Sequence, residues 1–289
     1  MSTVIAYIIV IFVWATTPLG IKWSSEGFSP LAGAFWRIFI AAIVAWLIAK
    51  CMGITVPRHK KAILSYSVTS IGLFLGMVTT YIGASYLSSG MISVLFGLSP
   101  IISSVIARYV LDEPPFGVPQ WVALSLAITG LIVVFRGDVN LAEQSLIGLA
   151  LIVFAVFCFS LSGILIKKID ASLHTVAQTS GSLLFAVPLF GLIYILFAEP
   201  VAEVSDKSIM AILYLAFFGS IIGFFSYFYV LERLPATAVS LSTLVTPVLA
   251  IALGVMLNGE QLTSSIIVGA ALISGGLCIY HWGDKLFPA

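Results

Sequence analysis

Charge is scarce in this chain. Only 9% of its 289 residues are Asp, Glu, Lys or Arg, 61% are hydrophobic, and the mean hydropathy is +1.17. Soluble domains carry roughly a quarter charged residues, so a water-soluble globule is excluded. A formal net charge of +1 and the lack of a basic tail remove the field that nucleic-acid binding requires. Cysteine is equally sparse. Cys51, Cys158 and Cys278 stand far apart with no C-x-x-C pair, which argues against a disulfide framework or a zinc site, and no cofactor is expected. No Walker motif is present to use ATP directly. No H-E-x-x-H, and no nucleophile with a histidine at its depth, supports an enzyme. Carboxylates are missing from the interiors of the apolar runs, so the embedded proton relay of many pumps is not visible. The first run lacks both a basic n-region and a small-residue cleavage pattern, and is expected to be a retained span.

What the sequence has instead is long apolar runs, each near the ~20 helical residues needed to cross a bilayer. Ten are expected, at about Thr3–Ile21, Pro30–Cys51, Ala62–Ala84, Ser89–Tyr109, Val118–Phe135, Leu146–Ile166, His174–Phe197, Ser208–Leu231, Ala236–Leu257 and Thr263–Trp282. These predict an all-α membrane protein.

The runs repeat. Gly72, Gly76, Ser93, Pro100 and Glu113 recur as Gly219, Gly223, Ser240, Pro247 and Glu260, each 147 residues later (219−72 = 260−113 = 147). Five landmarks in register indicate a duplication, with a first five-helix repeat at 1–140 and a second at 141–289. Five is odd, so the second copy enters from the opposite side and the repeat is inverted around a central cavity. With the N-terminus inside, the inner loops and tail hold nine basic residues and the outer ones only Lys22, Arg136 and Lys207, which predicts cytoplasmic N- and C-termini. Glu113 then marks the inner mouth and Glu260 the outer, with Lys22 outside and its approximate counterpart Lys167 inside.

Opening-span residues Trp14, Pro18 and Lys22, the Pro30 to Arg37 start of run two, and the Pro100 to Glu113 and Pro247 to Glu260 ends of runs four and nine resemble the drug/metabolite transporter superfamily, EamA type. The resemblance covers Met1 to about Gly283. It implies a basket of helices around a central cavity, with the fifth and tenth spans peripheral, and alternating access. It also implies a role such as inner-membrane export of an amino acid or other metabolite, with vitamin import among the variants.

Candidate solute-binding residues follow from the pattern. Trp14 and Thr17 share a face next to Pro18, which leaves the Trp14 carbonyl without its helical partner. Apart from Lys50 and Arg108 at the run ends, Arg37 is the one ionised side chain inside a run, and an intramembrane charge is a functional candidate by default. It would bind a substrate carboxylate or phosphate, or hold the outer gate through Glu26 or a helix carbonyl. Gln178 is its uncharged candidate partner. Phe96, Ser99, Thr243 and Thr246 line stripes leading into the helix-kinking prolines Pro100 and Pro247, and Tyr81 and Tyr227 lie deep enough to reach a cavity. The competing reading of the Ser and Thr stripes is glue between helices, and that of Gly72, Gly76, Gly219 and Gly223 is close helix packing rather than gating. The partners expected are a small-molecule solute and the lipid bilayer, with no nucleic acid and with a homodimer left open. Facilitated import of a vitamin, nucleoside or lipid-like solute is the alternative function, and a groove open to the bilayer would favour a lipid.

Overall fold

The computed structural model describes residues 2–112, 117–137, 143–199, 204–234, 242–261 and 263–286, giving the backbone alone at 134–137, 143–145, 242–244, 281 and 284–286. Among the described residues every regular element is helical. The chain is read as a multi-pass membrane protein because seven of its helical stretches are long and apolar enough to span a bilayer. Three more apolar stretches, Val118–Val133, Val245–Asn258 and Ser264–Tyr280, are shorter. These three fall where the fifth, ninth and tenth spans are expected, and each adjoins residues outside those fully described.

Helix α1 covers Thr3–Ser24, α2 Pro30–Cys51 and α3 Lys60–Ala84. Each begins where the chemistry allows: the Ser2 hydroxyl caps Ile5 N–H, Pro30 starts the first turn of α2, and His59 Nδ1 accepts from Ala62 N–H. The fourth run breaks in two, α4 at Ser89–Phe96 and α5 at Ser99–Val110, with Pro100 in the first turn of α5. Expected as a kink within one helix, Pro100 instead starts a new one, because its missing N–H costs least there. By contrast, Pro18 and Pro247 sit inside unbroken helices.

The remaining helices are α6 (Val118–Gly137), α7 (Glu143–Ile169), α8 (Thr175–Phe197), α9 (Asp206–Tyr214), α10 (Gly223–Arg233), α11 (Ser242–Asn258) and α12 (Ser264–Leu286). Between α9 and α10 the eighth run widens into a π-helix over Leu215–Ile222, where one continuous α-helix was expected. Such widening is rare and concentrates at functional sites.

Helix pairing is regular. α6 packs along α12, α3 on α7, α2 on α8, and α1 on α11, while α9, the π segment and α10 line α1. α4 and α5 pack on α7, and α4 on α11. Small residues permit the closest approaches. A methyl group on Gly76 would lie 2.7 Å from the Phe159 ring, and one on Gly72 would strike Ser162. Leu73, Met77, Tyr81, Ile92, Leu95, Ile152 and Phe190 form a continuous core between these helices.

Candidate functional site

At one end of the bundle, charges placed on helix ends tie neighbouring helices together. Lys22, in the last turn of α1, donates to Ala84 O at the C-terminus of α3 (3.0 Å). The Glu260 carboxylate accepts from Ser89 N–H (3.0 Å) and Gly90 N–H (3.2 Å) at the N-terminus of α4, and from the Asn258 amide (3.1 Å). A cation on a carbonyl end and an anion on an amide end both follow the helix dipole. The two charges thus grip the same connection, residues 85–88, from either side. Asn258 Oδ1 also accepts from Trp23 Nε1 (3.0 Å). Glu260 reaches α4 because Gly259 adopts φ +61°, a left-handed turn that glycine makes freely, and folds the chain back onto Gly254 O. Half-burial alone would push the Glu260 carboxyl up, but its hydrogen bonds from Ser89, Gly90 and Asn258 outweigh this and hold it below its ordinary value.

Beneath this closure lies Arg37, 4% exposed. Its Nε donates to the Ser220 hydroxyl at 2.9 Å, in the middle of the π segment. The guanidinium packs against Gly219, where a methyl group would lie 2.9 Å from Nη2. Tyr81, fully buried, packs beside Gly33 and interacts with Arg37 and Ser24. Glu26, one expected gate partner of Arg37, pairs instead with Lys207 (2.6 Å). The outcome for this cluster is a sealed joint between α2, α3 and the π segment, on the same side as the closure.

A second group of candidates is partly buried. Trp14 and Tyr227 rings lie 5.5 Å apart, and a methyl group on Gly163 would come within 2.9 Å of the Tyr227 hydroxyl. Phe96 meets Phe159 at 6.0 Å, and Ser99 faces Ser160 at 3.4 Å. Phe159 and Gly163 are one turn apart on α7, so this helix links the Trp14–Tyr227 wall to the Phe96–Ser99 wall. Thr17 donates to Val13 O (2.6 Å) within its own helix. Aromatic faces with a few hydroxyl groups suit a solute with an apolar body and a polar head.

Gln178 lies apart from Arg37. Its Oε1 accepts from Ser65 (2.9 Å), and its amide donates to Thr69 (3.0 Å) and Ser182 (3.1 Å), so it ties α8 to α3. Gly223 packs on Val13 of α1, while Thr246 and Pro247 are buried in α11. Lys167 is half-buried next to Lys168, whose ammonium donates to Val110 O (2.8 Å) at the end of α5. Glu113 and the Thr243 side chain lie outside the described residues.

Phe159, Ser160 and Gly163 were not among the sequence candidates, although a signal existed. At an offset of 145, Trp14, Thr17, Pro18 and Lys22 align with Phe159, Ser162, Gly163 and Lys167 (159−14 = 167−22 = 145). The sixth run thus repeats an aromatic, hydroxyl, helix-breaker and lysine pattern. A backbone echo exists too: Asp112 adopts φ 55°, and it stands 147 residues before Gly259 (259−112 = 147). The same left-handed turn therefore precedes Glu113 and Glu260.

Comparisons with known proteins agree with this architecture. The protein is similar to the uncharacterized transporter YoaV of Bacillus subtilis, 26% identical over 281 residues and covering 96% of each chain. It is also similar to the uncharacterized inner membrane transporter YedA of Escherichia coli K12, 26% identical over 287 residues, covering 96% of this chain and 90% of that one. A solved crystal structure superposes with a TM-score of 0.75 at 18% identity, over 100% of this chain and 99% of the other, which identifies the fold. The model of the EamA-like transporter family matches twice, at residues 1–136 and 146–281, and the chain belongs to that family of membrane transporters.

Proposed function

We propose that this protein is a secondary active transporter that exports a small, amino-acid-like metabolite across the inner membrane by alternating access, using two inverted five-helix repeats. The observation that carries the reading is the reciprocity of the packing. Exchanging each run with the one five places away maps the contact of runs three and six onto that of eight and one. It likewise maps runs four and six onto nine and one, and returns the pairs two with seven and five with ten to themselves. Near-symmetric halves of this kind can trade inward-open and outward-open shapes. The charge bias of the loops supports an outer position for the Lys22 and Glu260 contacts, and on this reading they close the chain to the outside. The partly buried Trp14, Tyr227, Phe96, Phe159 and Ser99 then form the solute chamber, and Arg37 holds the outer gate rather than touching the solute.

The test is a counterflow screen in proteoliposomes with radiolabelled amino acids, nucleosides and vitamins. Accumulation of an amino-acid-like solute above protein-free vesicles supports the proposal, whereas no accumulation of any of them ends it. A lipid-like solute is the second reading, favoured by an apolar groove of about 380 Å³ between α2 and α9, lined by Trp36, Ile40, Ile209 and Ile212. Scrambling of a fluorescent phospholipid without solute counterflow would select it.

A further inference from the structure

The connection between α3 and α4 is held shut by groups that would recognise an anion if Glu260 left. Two backbone N–H groups, of Ser89 and Gly90, point at its carboxylate from the first turn of an eight-residue helix. Lys22 stands close enough to Glu260 to interact electrostatically, and it contacts the same connection through Ala84 O. The Ser89 hydroxyl, 1% exposed, makes no hydrogen bond of good geometry, yet it faces the same carboxylate and favours its charged form: a methyl group on Gly254 would lie 2.6 Å from Glu260 Oε2 and 2.8 Å from Ser89 Oγ. A buried hydroxyl so placed is a third donor for an anion, because burial without a full partner is costly.

We propose that Ser89, Gly90 and Lys22 form an anion-binding site at this mouth, for a carboxylate or phosphate group, which Glu260 occupies as a tethered competitor in the closed state. The inference rests on the transporter reading and names a chemical requirement of the solute. Closure and anion capture use the same donors and exclude one another. An arriving anion releases Glu260, frees the 85–88 connection and keeps the mouth open while it is bound. By linkage, a ligand that binds only the open state raises its population in proportion to that ligand's occupancy.

The experiment uses the full chain with Cys51, Cys158 and Cys278 replaced by serine and spin labels at Ser85→Cys and Gln261→Cys, both at exposed positions. The protein is held in phosphatidylcholine nanodiscs, and the distance between labels is read by double electron–electron resonance. Inorganic phosphate and acetate are titrated against chloride at equal ionic strength. The expected result is a longer distance with phosphate or acetate and none with chloride. Lys22→Gln should lose the response, and Glu260→Gln should show the longer distance without added anion. Widening on phosphatidylglycerol alone would assign the anion to a lipid headgroup, and widening only with the soluble anions to a solute. An unchanged distance under every anion, or a full response in Lys22→Gln, overturns the site. The readout needs no transport: a failed counterflow screen leaves this result standing, and a flat distance beside active counterflow removes the anion site alone.

Discussion

Arg37 and Ser220 join the second helix to the widened turn of the eighth run by one buried hydrogen bond of 2.9 Å. Among the described residues no carboxylate is paired with that guanidinium, so its neighbours are hydroxyl groups and a glycine. Hydrogen bonds to a charged group contribute about 1.5–3 kcal/mol. Arg37→Ala is therefore expected to loosen this joint, lowering the thermal transition and reducing solute counterflow about tenfold or more with insertion unchanged. Size-exclusion profiles and counterflow rates, measured together, decide the matter, and wild-type kinetics in this variant would remove the role.

Closure at Glu260 depends on pH with a definite sign. Its carboxyl is held below the ordinary value in the closed state. The stabilisation is therefore complete above the ordinary carboxylate range and is lost as pH falls through the lower closed-state value. Amide hydrogen exchange at residues 85–90 should accelerate on acidification beyond the intrinsic rate, whereas Glu260→Gln should show fast exchange at every pH. Protection that is indifferent to both would contradict the clamp.

Gly76 and Gly275 separate packing from propensity. At Gly76 an added methyl would press on the Phe159 ring, and at Gly275 it would meet nothing within 4 Å. Gly76→Ala is expected to cost about 1–3 kcal/mol by overpacking. Gly275→Ala should be neutral or stabilising by up to about 1 kcal/mol through helix propensity. Thermal unfolding in one detergent, run side by side, gives both values.

Gln178 should behave as structure rather than as solute contact. Gln178→Leu strands the Ser65 hydroxyl while Thr69 keeps its bond to Ser65 O, and interhelical hydrogen bonds in membranes average about 0.6 kcal/mol. A modest fall in thermal stability with an unchanged KM is expected. A large rise in KM would place the residue in the chamber instead.

Trp14 and Tyr227 should do the opposite. Trp14→Ala removes one wall of a partly buried aromatic pair, so it is expected to raise KM for apolar solutes with a smaller effect on stability. Competition by solutes of increasing apolar size measures this directly.

Much of the fold could be read from hydropathy because a bilayer leaves the chain few choices: helices must satisfy their own backbone. Pro30, Ser89 and His174 marked real helix starts for that reason. The π segment at Leu215–Ile222 left no comparable mark, and its Ser220 meets Arg37 only across the bundle. Arg37 itself stood out as a lone charge, but its direction was set by Gly219 and Ser220 across the bundle. Gln178 looked like a partner for it by position along the chain, and the pairing of α8 with α3 placed it elsewhere. Phe159 and Gly163 were legible only at an offset of 145, two residues short of the 147 that aligns the later runs.

The two halves do not store their slack in matching places. The first half interrupts its fourth run at Gly97 and Leu98, and the second widens its eighth run between Leu215 and Ile222. In the alternating access proposed above, the first half would bend at its break and the second would shift register at its π segment, so substitutions at the two places are expected to slow different steps.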